Sequence, residues 1–199
     1  MQKFIGDAVT QVLNGLIKTG PANDIDLLLT GHSAGGAIAQ MFYAMITSPD
    51  HSMANLLPRV RHLHCIVFGA PPIATTPIPK PTSSTGLFLN VVNEGDSVSL
   101  IQPEYVNVLL KFFTLSPADL GSYLAKNYPN GFPLPNPVSR VSGSCIVLRD
   151  KDTENVDIVC YDAVTIQADK LERKLFGNPV LHEKKVYLER IRSLAKQAV

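Results

Sequence analysis

The sequence predicts an α/β protein with a mostly parallel sheet flanked by helices. Short apolar runs of strand length alternate with segments of helical spacing, and a helix between two successive strands makes those strands parallel. Hydrophobic residues make up 45% and charged residues 18% of the 199 residues, which is a globular composition. The length suits one core, and we expect residues 1–199 to form a single domain without repeats or linkers.

The first half of the chain carries the pattern that defines the sheet. Apolar residues at helical spacing end at Gly20-Pro21, and short apolar runs then alternate with a second helical segment. We predict, in order, a helix over residues 4–17, a strand over 25–30, a helix over 37–46, and strands over 64–68 and 87–92. Residues 69–85 are rich in proline, threonine and serine and predict a loop.

The second half of the chain is predicted to be less regular. Residues 103–124 contain helical pieces that Pro117 interrupts, and prolines make residues 127–138 a loop or a covering flap. The segments GSCIVLRD and VDIVCYD predict a β-hairpin. A charged helix near residues 167–176 and an amphipathic helix after Pro179 complete the prediction.

The three cysteines, Cys65, Cys145 and Cys160, are too few for a disulfide framework and lack metal-ligand spacing. If the hairpin pairs Arg149 with Val156, Cys145 falls opposite Cys160, and a cross-strand disulfide is then a possible pairing. The alternative is a pair of reduced, half-buried thiols, which is the interpretation we favour.

Charge and hydropathy exclude several classes of function. The formal net charge of +1 offers no basic surplus for binding nucleic acid. No apolar stretch approaches the roughly 20 residues needed to span a bilayer. Residues 1–18 also lack the continuous apolar core and the small-residue cleavage site of a secretory signal, so no export signal is predicted.

Residues 31–36, GHSAGG, are the most informative stretch of the sequence. They match G-x-S-x-G between a predicted strand and a predicted helix, which is the context in which this motif marks a nucleophile. The sharp turn holds Ser33 in a strained conformation with its hydroxyl projecting, and the glycines two residues either side let backbone approach closely. Free N–H groups at the start of the following helix face any oxyanion formed there. The alternative is a plain glycine turn in a parallel-sheet protein.

A serine hydroxyl becomes nucleophilic when a histidine accepts its proton and a carboxylate orients that histidine. In folds with this turn the chain order is serine, then Asp or Glu, then histidine. His182 is the candidate base, because it alone follows all the predicted strands and lies at a turn that opens a helix. Its alternative role is that of a solvated residue at a helix start. Three other histidines downstream border a strand or a helix end: His51, His62 and His64.

The candidate carboxylate is Asp96, just beyond the end of the strand over 87–92. Functional groups of open parallel sheets gather at the carboxyl ends of the strands, the edge where Ser33 also lies. Glu94 is the reserve candidate at the same strand end. Four further aspartates lie in or beside the predicted hairpin, where a solvated turn explains them: Asp150, Asp152, Asp157 and Asp162.

Four blocks of the sequence, in this order, resemble the class 3 (fungal-type) lipases. LLLTGHSAGGAIAQ is similar to the nucleophile block of that family, and FGAPP is similar to the block after its next strand. VVNEGDSVSLI resembles the segment with the catalytic aspartate, and NPVLHEKKVYLERI resembles the closing segment, where the histidine precedes a helix with a tyrosine. The blocks span residues 25–191, nearly the whole chain.

The resemblance implies an α/β-hydrolase fold and hydrolysis of a carboxylic ester through an acyl-enzyme. Ser33, Asp96 and His182 would form the catalytic triad, and the backbone N–H of Ala34 would bind the oxyanion. No metal or organic cofactor is implied. The expected substrates are acylglycerols or other lipid esters, with transient contact at a lipid interface, and aromatic residues of 103–138 could line an acyl site. Members of this family are often secreted.

The chain departs from the family before residue 25, where a single helix replaces several strands, a second oxyanion donor and a lid helix. Leu27, Leu28 and Leu29 suit an interior strand that is covered on both faces, yet one side of that strand lacks a partner. We therefore expect the C-terminal portion of a longer protein or a truncated gene product. Two alternatives follow: an inactive interaction module that self-associates through this strand edge, or a feruloyl-type or short-chain esterase.

Overall fold

A five-stranded sheet forms the centre of the computed structural model, which describes residues 7–8, 10–12, 14–15, 25–82, 85–127, 129, 137–151 and 160–197. The strands are β1 (Asp26–His32), β2 (His62–Phe68), β3 (Phe88–Asn93), β4 (Ser144–Lys151) and β5 (Cys160–Ile166). They lie side by side in that order. The first four are parallel, and β5 is antiparallel to β4. The predicted mostly parallel sheet is confirmed.

Helices follow or connect the strands. The α-helices are α1 (Ala34–Thr47), α2 (Pro103–Thr114), α3 (Pro117–Asn127), α4 (Ala168–Leu171) and α5 (Lys184–Gln197). Short 3₁₀ helices span Ser52–Arg59, Val98–Leu100 and Pro179–His182. The described residues between 7 and 15 are helical, as predicted for that part of 4–17. Within the described part of the chain, every helix is too short or too polar to cross a membrane.

One face of the sheet packs against α1 through small residues at the start of the helix and larger ones later. A Cβ atom on Gly36 would lie only 2.7 Å from the Cβ of Ala70, so glycine is needed for the helix to approach β2. Further along, the Tyr43 ring meets the Phe88 ring at 4.5 Å between centroids. This buried cluster fixes the direction in which α1 leaves the end of β1.

The opposite face of the sheet is covered by α5. Tyr187 of this helix packs in a buried cluster with Val91 of β3 and Leu148 of β4, and Phe68 lies at its margin. The amphipathic helix predicted after Pro179 is therefore present, and it brings the C-terminal part of the chain under the carboxyl ends of β1 and β3. Pro117 separates α2 from α3, as predicted.

β4 and β5 form an antiparallel pair, as predicted for this hairpin, but the predicted register is wrong. Arg149 pairs with Asp162, so Cys145 lies opposite Ile166 and Cys160 lies opposite Lys151. Six residues of strand, about 20 Å, separate the two cysteines along the ladder. All three cysteines are free thiols, which excludes the Cys145–Cys160 disulfide. Residues 152–159, which include the predicted partner Val156, lie outside the described residues.

The predicted charged helix near 167–176 is a single turn, α4. Residues 172–178 are not helical, and a distant side chain binds the backbone there. The Tyr105 hydroxyl donates to the Phe176 carbonyl at 2.7 Å and accepts from the Phe176 N–H at 2.6 Å, so neither backbone group of Phe176 is left to extend the helix. Desolvation raises the pKa of Tyr105 to about 12, which keeps the hydroxyl protonated as a donor. The predicted loop over 127–138 falls mostly outside the described residues.

The strand β1 has one hydrogen-bonded neighbour, β2, among the described residues. Its alternate side chains differ in burial, and Leu28 remains 53% exposed. An apolar side chain exposed in the middle of a parallel strand is unusual, because parallel strands are normally covered on both faces. Among the described residues, β1 therefore forms one edge of the sheet.

Candidate active site

Ser33 occupies the turn between β1 and α1 in a strained backbone conformation, with φ 57° and ψ −127°. Among the described residues it is the only one other than glycine with a positive φ. Such a conformation costs about 1–3 kcal/mol and persists only where surrounding contacts enforce it. The Ser33 N–H donates to the Phe68 carbonyl at 3.0 Å, which ties the turn to the end of β2.

The glycines around Ser33 have unequal roles. A Cβ on Gly31 would lie 2.3 Å from the backbone carbon of Gly35, so only glycine allows the turn to fold back on itself. Gly36 is needed for the contact with β2 described above. A Cβ on Gly35, by contrast, would meet nothing within 4 Å, so the predicted need for glycine at that position is wrong.

Three side chains that are far apart in sequence meet at the carboxyl ends of the strands. The His182 Nε2 lies 2.8 Å from the Ser33 Oγ. The other ring nitrogen, Nδ1, lies 2.9 Å and 3.1 Å from the two carboxylate oxygens of Asp96. The structure thus brings Ser33, Asp96 and His182 into one continuous hydrogen-bonded chain. This arrangement can move a proton from the serine hydroxyl to the imidazole.

Asp96 is fully buried, and its charge is compensated by several donors. Besides the His182 imidazole, the Val98 N–H donates to Oδ1 at 2.8 Å and the Tyr187 hydroxyl donates to Oδ2 at 2.6 Å. These hydrogen bonds fix the orientation of the carboxylate toward His182. Burial and the nearby Asp96 charge raise the pKa of the Tyr187 phenol well above its usual range, so the phenol stays a donor.

The reserve carboxylate and the other histidines do not join this group. Glu94 is exposed at the surface. His51 accepts from the Met53 N–H at the start of a 3₁₀ helix. His62 and His64 lie at the opposite, amino-terminal part of β2, where they bond Thr85 and the Leu87 N–H.

The backbone N–H of Ala34 opens α1 directly after Ser33. The first N–H groups of an α-helix have no acceptor within the helix, and the helix dipole favours negative charge at this end. The position predicted for an oxyanion donor is therefore the first residue of a 14-residue helix that points its N-terminus at the serine. Among the described residues, no group of three or more His, Cys, Asp or Glu side chains could hold a metal ion.

Gly69, at the end of β2, faces the centre of the hydrogen-bonded chain. Its φ is +54°, and a Cβ there would lie 2.6 Å from the Asp96 Oδ2. The same atom would lie 2.8 Å from the Tyr187 hydroxyl and 3.1 Å from the His182 Nδ1. The glycine of the FGAPP block therefore has a steric role at this site as well as a conformational one.

Sequence reasoning missed three residues that contact this group. Tyr187 bonds Asp96, Asn93 bonds the loop before His182, and the His32 ring stacks on the His182 ring at 4.6 Å between centroids. The only available signal was their presence in the blocks that resemble class 3 lipases. Nothing in local spacing shows that residues about 90 or 150 positions apart will touch.

The Tyr187→Phe variant should lose free energy of unfolding of about 1.5–3 kcal/mol, because a hydrogen bond to a buried carboxylate is removed. The Asn93 N–H, which donates to the Tyr187 hydroxyl at 2.9 Å, is left without an acceptor as well. Urea unfolding followed by circular dichroism would measure the change. Tyr161→Phe is the control, because its ring keeps the stacking on Arg190 and should lose less than about 0.5 kcal/mol. Equal losses in the two variants would contradict the role given to the Tyr187 hydroxyl.

The comparisons with known proteins identify the family. A family model described as lipase (class 3) matches residues 2–106, which are 105 of the 199 residues. The matched segment contains Ser33 and Asp96, whereas His182 follows it. A search of the curated proteins found no match. With its mostly parallel sheet flanked by helices, the chain has an α/β-hydrolase-like fold and belongs to the class 3 lipase family, a family of carboxylic ester hydrolases.

Proposed function

We propose that this protein hydrolyses carboxylic esters of lipids through an acyl-enzyme formed on Ser33. The observation that carries the proposal is the continuous hydrogen-bonded chain from the Ser33 Oγ through the His182 ring to the buried Asp96 carboxylate. Membership of the class 3 lipase family supports the ester as the substrate class. The acyl-enzyme mechanism and the roles of the individual residues are part of the proposal.

In the first half of the reaction, the His182 Nε2 accepts the proton of the Ser33 hydroxyl as the Oγ attacks the ester carbonyl carbon. The carbonyl oxygen takes the negative charge and accepts a hydrogen bond from the Ala34 N–H at the start of α1. Asp96 stabilises the imidazolium through Nδ1. When the tetrahedral intermediate collapses, the bond to the alcohol oxygen breaks and His182 returns its proton to that oxygen.

In the second half, water takes the place of the serine hydroxyl. His182 accepts a proton from water as the water oxygen attacks the acyl carbon, and the same N–H of Ala34 again faces the oxyanion. Collapse then breaks the bond to the Ser33 Oγ, and the proton on His182 returns to the serine. The acid leaves, and the enzyme is restored without a change in its net charge. These reaction steps use no metal or organic cofactor.

Exposed apolar side chains on α2 and in the segment before His182 favour a lipid over a polar ester. Phe113 of α2 is 66% exposed and lies beside Gly177, five residues before His182. Leu110 and Val180 are also more than half exposed. These side chains suit transient contact with a lipid interface. Tyr105 is not part of an acyl site, because it is buried and both its hydrogen bonds go to Phe176.

The proposal is tested by hydrolysis of p-nitrophenyl butyrate and p-nitrophenyl palmitate by the purified 199-residue chain. We expect turnover that His182→Ala removes and His51→Ala leaves intact, since His51 caps a separate helix. A preference for palmitate would support a lipase, whereas a preference for butyrate would favour the short-chain esterase. Hydrolysis of methyl ferulate would favour the feruloyl-type alternative. A folded sample without turnover of any of these esters would contradict the proposal.

The exposed edge of β1 favours a second candidate, an inactive module that self-associates. On one edge of this strand no hydrogen-bonded neighbour exists among the described residues, and Leu28 is exposed beside it. Light scattering coupled to size-exclusion chromatography would give the mass in solution. A concentration-dependent dimer that Leu28→Lys dissociates, together with absent turnover, would support this candidate. A monomer at all concentrations would exclude it.

A further inference from the structure

We propose that Asn93 and His32 are positioning residues that hold the backbone of the loop carrying His182. Each donates a side-chain N–H to one of two successive carbonyl oxygens, those of Leu181 and His182. The two donors come from the carboxyl ends of two different strands, β3 and β1. This inference rests on the proposed function, since it assigns these residues a part in the same proton transfer.

Asn93 binds on both sides of the hydrogen-bonded chain, to the loop of His182 and, through Tyr187, to Asp96. Its side-chain Nδ2 donates to the Leu181 carbonyl at 2.8 Å, which anchors the histidine arm. Its backbone N–H donates to the Tyr187 hydroxyl at 2.9 Å, and that hydroxyl donates to Asp96, which anchors the carboxylate arm. Asn93 is fully buried, and its Oδ1 accepts from the Arg190 guanidinium at 3.4 Å. The amide of Asn93 is therefore fixed on both of its polar atoms.

His32 supports the same loop from the other side. Its Nε2 lies 2.7 Å from the His182 carbonyl oxygen, so this nitrogen carries the proton and donates. Its ring is also stacked on the His182 ring, with 29° between the planes. We infer that this stacking limits rotation of the His182 ring and so keeps Nε2 directed at Ser33.

The loop needs these contacts because it has few of its own. His182 ends a four-residue 3₁₀ helix, and the last carbonyls of any helix lack partners within it. The start of this segment is held by the turn after β3, where the Asn178 N–H donates to the Gly95 carbonyl at 3.0 Å. A displacement of about 1 Å in a reacting group can cost about 100-fold in rate. Loss of either carbonyl contact should therefore reduce kcat.

The test compares kcat and KM for the ester that the wild-type chain hydrolyses best. Asn93→Asp keeps the shape and the acceptor for Arg190 but lacks the donor to Leu181, and Asn93→Leu lacks both. We expect kcat to fall about 10- to 100-fold in both variants, with KM within about threefold of the wild type. Asn90→Leu, at a buried asparagine on the same strand, is the matched control and should keep its kcat.

The role of His32 is tested by comparing a variant that keeps a side-chain N–H with one that lacks it. His32→Gln can place an N–H near the position of the His32 Nε2, whereas His32→Met cannot. We expect His32→Met to lose about tenfold in kcat and His32→Gln to recover most of that loss. Unchanged kcat in Asn93→Asp and Asn93→Leu, or equal losses in His32→Gln and His32→Met, would overturn the inference. Loss in Asn93→Leu alone would assign Asn93 to the Arg190 contact instead. An inactive wild-type chain would contradict the proposed function itself, which is a separate result.

Discussion

Ser33→Ala is expected to reduce kcat for ester hydrolysis by roughly 10⁵–10⁶-fold, the scale seen when a serine hydrolase loses its nucleophile. The reason is that the Oγ, 2.8 Å from the His182 Nε2, is the atom that would form the acyl bond. The backbone strain at Ser33 does not depend on the hydroxyl, so the variant should keep the fold and melting temperature of the wild type. The measurement is the steady-state rate together with the near-ultraviolet circular dichroism spectrum.

Covalent labelling shows directly whether Ser33 is the nucleophile. A fluorophosphonate probe should modify the wild-type chain once, and mass spectrometry should place the adduct on the peptide that contains Ser33. Ser48→Ala, just beyond the end of the same helix, is the control and should be labelled at the wild-type rate. Turnover or labelling that persists in Ser33→Ala would show that another residue is the nucleophile.

Asp96→Asn is expected to lower kcat by about 10⁴-fold, because an amide in this position favours the wrong imidazole tautomer. The Asp96 carboxylate accepts from the His182 Nδ1, the Val98 N–H and the Tyr187 hydroxyl. An amide offers a single acceptor oxygen, and its NH₂ group would face at least one of these donors. The His182 proton would then move to Nε2, where it prevents acceptance of the serine proton.

The neighbouring carboxylate supplies the control for this prediction. Glu94→Gln removes a charge at the same strand end, but its side chain is exposed and should leave kcat unchanged. Both variants are compared as kcat and kcat/KM from pH 5 to pH 9. If Glu94→Gln were the inactive variant and Asp96→Asn the active one, the carboxylate would have been assigned incorrectly.

Much of the sheet was predictable because local patterns determine it. Each of the first three strands is an apolar run bounded by turn residues, and the helix between β1 and β2 requires them to be parallel. The positions of Ser33, Asp96 and His182 followed from a strand-turn-helix motif, a strand end and the order along the chain. Parallel topology brings Ser33 and Asp96 to the same edge of the sheet, whereas His182 reaches them from the 3₁₀ helix before α5.

The parts that could not be predicted depend on distant side chains. The Tyr105 hydroxyl bonds both backbone groups of Phe176, 71 positions away, and the spacing of apolar residues gives no sign of this contact. The apolar pattern of β4 and β5 fits more than one register of the hairpin, and the predicted alignment of Cys145 with Cys160 was wrong. Tyr187, Asn93 and His32 act through hydrogen bonds and ring contacts that only the folded chain creates.

Gly69 has a positive φ and leaves no room for a larger side chain beside the hydrogen-bonded groups. The space beside this residue is filled by three groups of the hydrogen-bonded chain, so even a methyl group would displace them together. Substitutions that keep these groups in place must therefore lie elsewhere. The exposed face of α2, with Leu110 and Phe113, can change without touching those groups. Because the proposed lipid contact lies on α2 and away from Gly69, we expect a library confined to α2 to change the preferred ester while the hydrogen-bonded groups keep their positions.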